Sequence, residues 1–178
     1  MGTGAHRQTS LSHVLSPEHD RPQLPAGYGG ETAEKYLAWE EIESKLRESL
    51  HYWISTTRPD ARPHAIPRWG VWLDSKFWYD GSPETIHARN LGTAGPCVLH
   101  LESGTDTVIV EGVSKAAKPI TGDTGERLAA EYARKYAPAY TPEPGSWSDA
   151  HAGGMRIIEP TKVIAWSDFP RDVTRFKF

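Results

Sequence analysis

Residues 98–113, Val-Leu-His-Leu-Glu-Ser-Gly-Thr-Asp-Thr-Val-Ile-Val-Glu-Gly-Val, decide the fold class. Two β-rich runs, 98–102 and 108–113, flank the polar stretch Ser103-Gly104-Thr105-Asp106. A short Ser/Gly/Asp segment between such runs reads as an antiparallel hairpin. Upstream, Tyr52–Arg58 is rich in β-branched and aromatic residues and ends at the turn signal Pro59-Asp60-Ala61. Ala65–Leu73 and Lys76–Tyr79 follow, joined at Asp74-Ser75. Five short strands with tight connections favour an antiparallel barrel over a parallel sheet. Arg156–Ile158 and Lys162–Trp166 read as two closing strands around Pro160.

Helical periods interrupt these strands. Over Tyr36–Ser49 the residues Trp39, Ile42, Leu46 and Leu50 form one apolar stripe, with Glu and Lys on the other face. A short helix is predicted over Glu84–Leu91, and a longer one from Asp123 to Tyr136 with Leu128, Tyr132 and Tyr136 on its stripe. Asp123 followed by Glu126 resembles a capping box. Residues 138–154 are rich in Pro and Gly and read as a long loop. Residues 1–30 lack any apolar period, so a disordered or draped N-terminal arm is expected, with one folded domain over 31–178.

The composition limits the function. The chain has 178 residues, one domain's worth, and a formal net charge of -3. Neither a nucleic-acid partner held by bulk charge nor a polybasic membrane surface fits that balance. No apolar run approaches the roughly 20 residues of a membrane span. The opening MGTGAHRQTSLSH holds no hydrophobic stretch, so no secretory leader and a cytoplasmic location are expected. One cysteine, Cys97, excludes a disulfide framework and suits a small buried residue.

Familiar catalytic motifs are absent. There is no Gly-x-Ser-x-Gly elbow, no Walker loop and no His-Glu-x-x-His pair, and the eight His are dispersed, so no metal site is expected. Asp123-Thr124-Gly125 matches an aspartic-protease triplet, but it opens a helix, where Asp is an ordinary cap. The Trp-rich region around Trp69, Trp72 and Trp78 suits either core packing or a wall for a flat cofactor. Residues 80–91, Asp-Gly-Ser-Pro-Glu-Thr-Ile-His-Ala-Arg-Asn-Leu, place hydroxyls, backbone N–H groups, His87 and Arg89 around a strand-to-helix turn. That is the chemistry of an anion site, and equally that of a capped surface helix.

At this point a family resemblance enters. Residues 52–64 (YWISTTRPDARPH), 67–73 (PRWGVWL), 87–91 (HARNL), 100–104 (HLESG), 108–112 (VIVEG) and 168–178 (DFPRDVTRFKF) together resemble the pyridoxamine 5′-phosphate oxidase-like split β-barrels, in their flavin- or deazaflavin-dependent branch. The resemblance spans about residues 36–178. It implies a six-stranded antiparallel split β-barrel with peripheral helices, forming a homodimer with cofactor sites at the interface. FMN or the deazaflavin coenzyme F420 would lie along Pro67, Arg68, Trp69, Gly70 and Val71, held largely by backbone groups. Its phosphate would sit near Tyr79, Asp80, Thr85, Ile86 and His87, with a polar contact from Thr107. Trp166 and Arg175 would reach the substrate or the second subunit's site. Three positions depart from the family pattern. Ile86 and His87 stand where cations are usual, and Ala61 replaces a turn glycine.

The resemblance implies an oxidoreductase that transfers hydride between FMN or F420 and a small organic substrate. The cofactor would supply the chemistry, so no particular catalytic side chain is assigned. Candidate walls are Trp69, Trp72, Trp78, Trp147 and Trp166, and His64 and His87 are the candidate proton relays. The alternative is a non-catalytic dimer that carries a flavin, F420 or a haem-related ligand.

Overall fold

Strands form here where buried and half-buried residues alternate, as they do through Tyr52–Thr57 and Thr107–Ser114. The computed structural model describes residues 16–28 and 35–178. Its elements are β1 (Glu18–Asp20), α1 (Trp39–Glu48), β2 (Tyr52–Thr57), β3 (Pro63–Arg68), β4 (Val71–Leu73), β5 (Lys76–Tyr79), α2 (Ile86–Leu91), β6 (Ala94–His100), β7 (Thr107–Ala116), α3 (Gly122–Tyr136), β8 (Arg156–Trp166) and β9 (Thr174–Lys177). All strand pairs are antiparallel, in the order β1-β9-β8-β7-β6-β2-β3, with β5 paired to β8 and β4 to β5. The fold is mainly β with a few helices, and the sheet is not closed. It has nine strands among the described residues, where the resemblance implied six.

Several boundaries differ from expectation for identifiable reasons. The run Ala65–Leu73 is two strands, because the chain breaks at Trp69-Gly70. Arg156–Trp166 is one strand despite Pro160. Strand β7 accompanies it throughout, while its other edge pairs with β5 up to Ile158 and with β9 from Lys162. Pro160, which has no N–H to donate, falls in the gap between those two partners. The bulge opposite it brings Gly112 so close to the Glu159 carbonyl that a Cβ would not fit. Helix α1 stops before Leu50, which is exposed rather than part of the apolar stripe. Asp123 does not cap α3: the N-cap is Thr121, and Asp123 pairs with Arg127 one turn on.

Two cores result. Trp39, Ile42 and Leu46 of α1 pack on Tyr52, Ile54, Leu99, Val110, Val163 and Phe176 of the sheet. Leu128, Tyr132 and Tyr136 of α3 join Trp147 and Met155 against Val71 and Trp78. Cys97 is buried, which pushes its thiol up to about 11. Of the expected N-terminal arm, residues 1–15 and 29–30 lie outside the described residues, as do residues 31–34 of the expected domain. Within residues 16–28, β1 pairs with β9, and Asp20 accepts from Arg175 and Lys177 at 2.7 Å each. No helix among the described residues is long and apolar enough to cross a membrane.

The β2–β3 turn places Ala61 at φ 64°, the left-handed region. A side chain there costs roughly 1–2 kcal/mol, offset in part by the roughly 0.5–1 kcal/mol of chain entropy that glycine loses on folding. Ala61→Gly should therefore raise the melting temperature by about 1–3 °C, measured by calorimetry. A fall would mean that the turn is set by its neighbours and not by residue 61.

Candidate functional site

The candidate site forms where the open side of the sheet meets α2. On β3, His64, Ile66 and Arg68 turn inward, while Pro63, Ala65 and Pro67 are exposed. Strand β5 brings Tyr79 and Asp80 alongside, α2 brings His87, and β8 brings Arg156. The Arg156 guanidinium is buried. It donates to Ser114 Oγ at 3.0 Å, Ser114 O at 3.3 Å and Gly92 O at 2.9 Å. Ser114 Oγ in turn shares a hydrogen bond with Tyr79 Oη at 3.2 Å. Arg68 lies over the Tyr79 ring, 5.9 Å from its centroid, and donates to the Asp80 carbonyl.

The pocket is positive around its two arginines. No carboxylate lies within ion-pair distance of Arg68 or Arg156 among the described residues. Two buried polar atoms, Arg68 Nε and His64 Nδ1, have no hydrogen-bond partner. His87 is buried beside the Tyr79 ring, and its hydrogen-bond partner is the Thr85 hydroxyl, at 3.4 Å. Burial first, then Arg68, Arg156 and His64, push its ring down to about 4. His87 is therefore neutral at pH 7, and a lysine in its place would add a third cation beside Arg68 and Arg156. Burial raises the Tyr79 hydroxyl as well.

Beside this pocket is a cavity of about 290 Å³ lined by Pro67, Arg68, Trp69, Asp80 and Tyr140. The Asp80 carboxylate turns away from Arg68 and accepts from Tyr140 Oη and, at 3.0 Å, from Trp147 Nε1. Burial and that Asp80 bond hold the Tyr140 hydroxyl well above its usual range. One face of the Trp69 indole stacks on Tyr136, with centroids 4.9 Å apart and planes 11° apart, and 41% of the residue is exposed. Gly70 and Val71 do not face the cavity. The Gly70 N–H donates to Tyr136 Oη at 3.0 Å, its carbonyl accepts from Lys135 Nζ at 2.9 Å, and a Cβ there would strike the Phe77 ring. Val71 is fully buried against α3. Trp72, Trp78 and Trp147 are buried too, so of the candidate walls on this side only Trp69 offers an open ring.

The expected site residues thus fall into separate groups. Arg68, Tyr79, Asp80, Thr85 and His87 gather at the pocket, with Pro67 and Trp69 at its rim. Ile86 faces the other side of α2, toward the β2–β3 turn. Thr107 and Trp166 are cross-strand partners at the far end of β7. Seven residues of extended strand separate Thr107 from Ser114, about 23 Å. Arg175 is engaged by Asp20. Three pocket residues were missed from the sequence. Arg156 and Ser114 had a readable signal, since Arg156 shares strand parity with the buried Ile158 and Ser114 with Val108 and Val110. Tyr140 sits in an irregular loop and had none.

No protein-family model and no curated protein matches the chain. Solved structures do. A haem-binding protein from Mycobacterium smegmatis aligns over 76% of this chain at 16% identity and TM-score 0.56, and the chain spans only 56% of that protein. A conserved hypothetical protein from Mycobacterium tuberculosis aligns over 84% of this chain and 90% of its own, at 19% identity and TM-score 0.53. A candidate 5-nitroimidazole antibiotic resistance protein from Bacteroides thetaiotaomicron covers 76% and 82%, at 10% identity and TM-score 0.54. At such identities the likeness is one of fold, and it agrees with the pyridoxamine 5′-phosphate oxidase-like resemblance.

His87 makes stability depend on pH. An unfolded His titrates near 6.5, the folded ring near 4. Between those values the unfolded chain takes up a proton that the native pocket refuses. Stability on this account is full above pH 6.5 and falls as pH drops toward 4, by about 3 kcal/mol. His87→Gln should shrink the difference in melting temperature between pH 7 and pH 4.5. An unchanged difference would place the acid sensitivity elsewhere.

Proposed function

We propose that this protein is a homodimeric oxidoreductase that binds a phosphate-bearing flavin-type cofactor, FMN or coenzyme F420, on a split β-barrel and transfers hydride to a small organic substrate. One observation carries the reading: a pocket holding the buried Arg156 and the half-buried Arg68 with no carboxylate in ion-pair distance of either among the described residues, and with two orphaned polar atoms. Cations held away from water by neutral acceptors alone are costly, and an anionic ligand would supply the missing charge. A phosphate there would accept from Arg68, Arg156 and the Thr85 hydroxyl. These residues replace the cations absent from positions 86 and 87.

The remaining residues have matching tasks. The open face of Trp69 offers a flat apolar surface for an aromatic ring beside the cavity. Pro67 would border that ring, while Asp80 and Tyr140 present hydrogen-bonding groups to whatever enters. A bound flavin or deazaflavin supplies the hydride chemistry. The chain's part is to hold, orient and shield, with His64 the imidazole placed to pass a proton at the pocket wall.

Dimerisation draws support from the outward sheet face. Pro63, Ala65 and Pro67 are exposed there, and a groove of about 450 Å³ runs across β2, β6 and β7 beside Ser55, Val98 and Val113. A second copy on this face would bury it and could bring Thr107 and Trp166 of one protomer toward the pocket of the other. Light scattering at micromolar concentration should give a dimeric mass, and a monomer would count against this part of the reading.

FMN should bind at least tenfold more tightly than riboflavin, which lacks the phosphate, in fluorescence-quenching titrations. A charge-assisted contact contributes roughly 1.5–3 kcal/mol, so Arg68→Gln should lower the FMN-to-riboflavin affinity ratio by tenfold or more. A ratio untouched by Arg68→Gln would remove the phosphate from this pocket. Oxidation of the reduced bound cofactor by an added acceptor would establish an enzyme, whereas bound cofactor without turnover would leave a carrier.

A further inference from the structure

A second cavity, of about 420 Å³, lies between the β2–β3 turn and the outward face of α2. Arg58, Asp60 and Arg62 border it from the turn, Ile86 and Arg89 from the helix. The turn is braced by its own backbone: the Arg58 N–H donates to Arg62 O and the Ala61 N–H to Arg58 O, each at 2.9 Å. Asp60 is spent inside the turn. Its Oδ2 accepts from Arg62 Nε at 2.8 Å and lies 2.7 Å from Arg62 Nη2, while Oδ1 accepts from the Arg62 N–H at 3.2 Å. That Arg62 hydrogen bond holds the Asp60 carboxyl below its ordinary range.

Arg58 and Arg89 form no ion pair among the described residues, although the Arg58 charge also acts on the Asp60 carboxyl. Three guanidiniums therefore border one groove that holds a single carboxylate, on a chain whose formal net charge is -3. Pro59 and Ile86 give the groove an apolar part. Helix α2 separates it from the buried pocket, because His87 turns inward while Ile86 and Arg89, one turn apart, turn outward. The two sites share no lining residue.

We propose that this groove is a second, independent site for a small organic polyanion, bearing phosphate or carboxylate groups and an apolar portion. The fork of a guanidinium matches the paired oxygens of both anions. The apolar part would rest on Pro59 and Ile86. The negative net charge of the chain disfavours a long polyelectrolyte such as a nucleic acid, so the ligand is a small molecule whose negative charges are close together.

The full chain, titrated calorimetrically with tripolyphosphate and with citrate at low salt, tests this. The parent should bind one or both with submillimolar affinity that weakens as salt is raised. The double variant Arg58→Gln/Arg89→Gln should lose at least tenfold in affinity, and Arg58→Lys/Arg89→Lys, which keeps the charge but not the fork, should fall between. Arg68→Gln, which alters only the buried pocket, should keep the component of binding that the double variant loses. Arg89 is exposed, so Arg89→Gln alone gives a folded variant in which a partial loss is expected. No measurable heat with either anion would overturn the proposal, as would equal binding by parent and double variant. Loss in Arg68→Gln with retention in the double variant would also overturn it, while leaving the phosphate reading of the buried pocket intact.

Discussion

Strand β8 must satisfy hydrogen-bonding partners along both edges, and the architecture follows from how it does so. Strand β7 runs along one edge for its whole length, while β5 and β9 divide the other at Pro160. That division sends the chain two ways. Toward the N-terminal end of β8 lie β5, β4 and the α3 core. Toward its C-terminal end lie β9 and β1. Arg156, the first residue of β8, stands where β5, β7 and α2 converge, and its guanidinium ties Ser114 to Gly92. The same residue that joins these elements also sets the charge of the candidate pocket.

That charge links stability to binding. A pocket whose Arg68 and Arg156 form no ion pair among the described residues is held together by carbonyl and hydroxyl acceptors, which compensate a buried cation only in part. The neutral state of His87 is another expression of the same electrostatics, since the ring yields its proton where the arginines cannot. A ligand phosphate would relieve all three groups at once. Ligand binding and thermal stability should therefore rise together, as linkage requires of any ligand that prefers the native state.

Much of the fold was legible because strand alternation and helical stripes are local signals. The hairpin around Ser103–Asp106 and the helix ending at Tyr136 needed nothing from distant residues. What escaped depended on partners. The break at Trp69-Gly70 arises from Phe77 and Tyr136 packing on Gly70, and nothing between residues 65 and 73 announces it. Strands β1 and β9 are short, and each is a strand because the other or β8 lies beside it. In the site, Tyr79, Asp80 and His87 could be singled out in advance because they flank one strand-to-helix turn, and Arg68 because the family resemblance implied it. Arg156 lies 69 residues beyond His87 in the chain, and only the sheet brings it there.

The stack of Trp69 on Tyr136 has a consequence for association. Tyr136 is itself fixed, since its hydroxyl bonds both the N–H and the carbonyl of Gly70, next to the indole it supports. Lys135 grips the same carbonyl and reaches Tyr52 Oη at 2.6 Å. The orientation of the ring is thus settled when the chain folds. A planar guest arriving on the open face has no side-chain rotamers of Trp69 to immobilise, so the entropy usually lost at that step has been surrendered beforehand, and more of the contact energy remains as affinity.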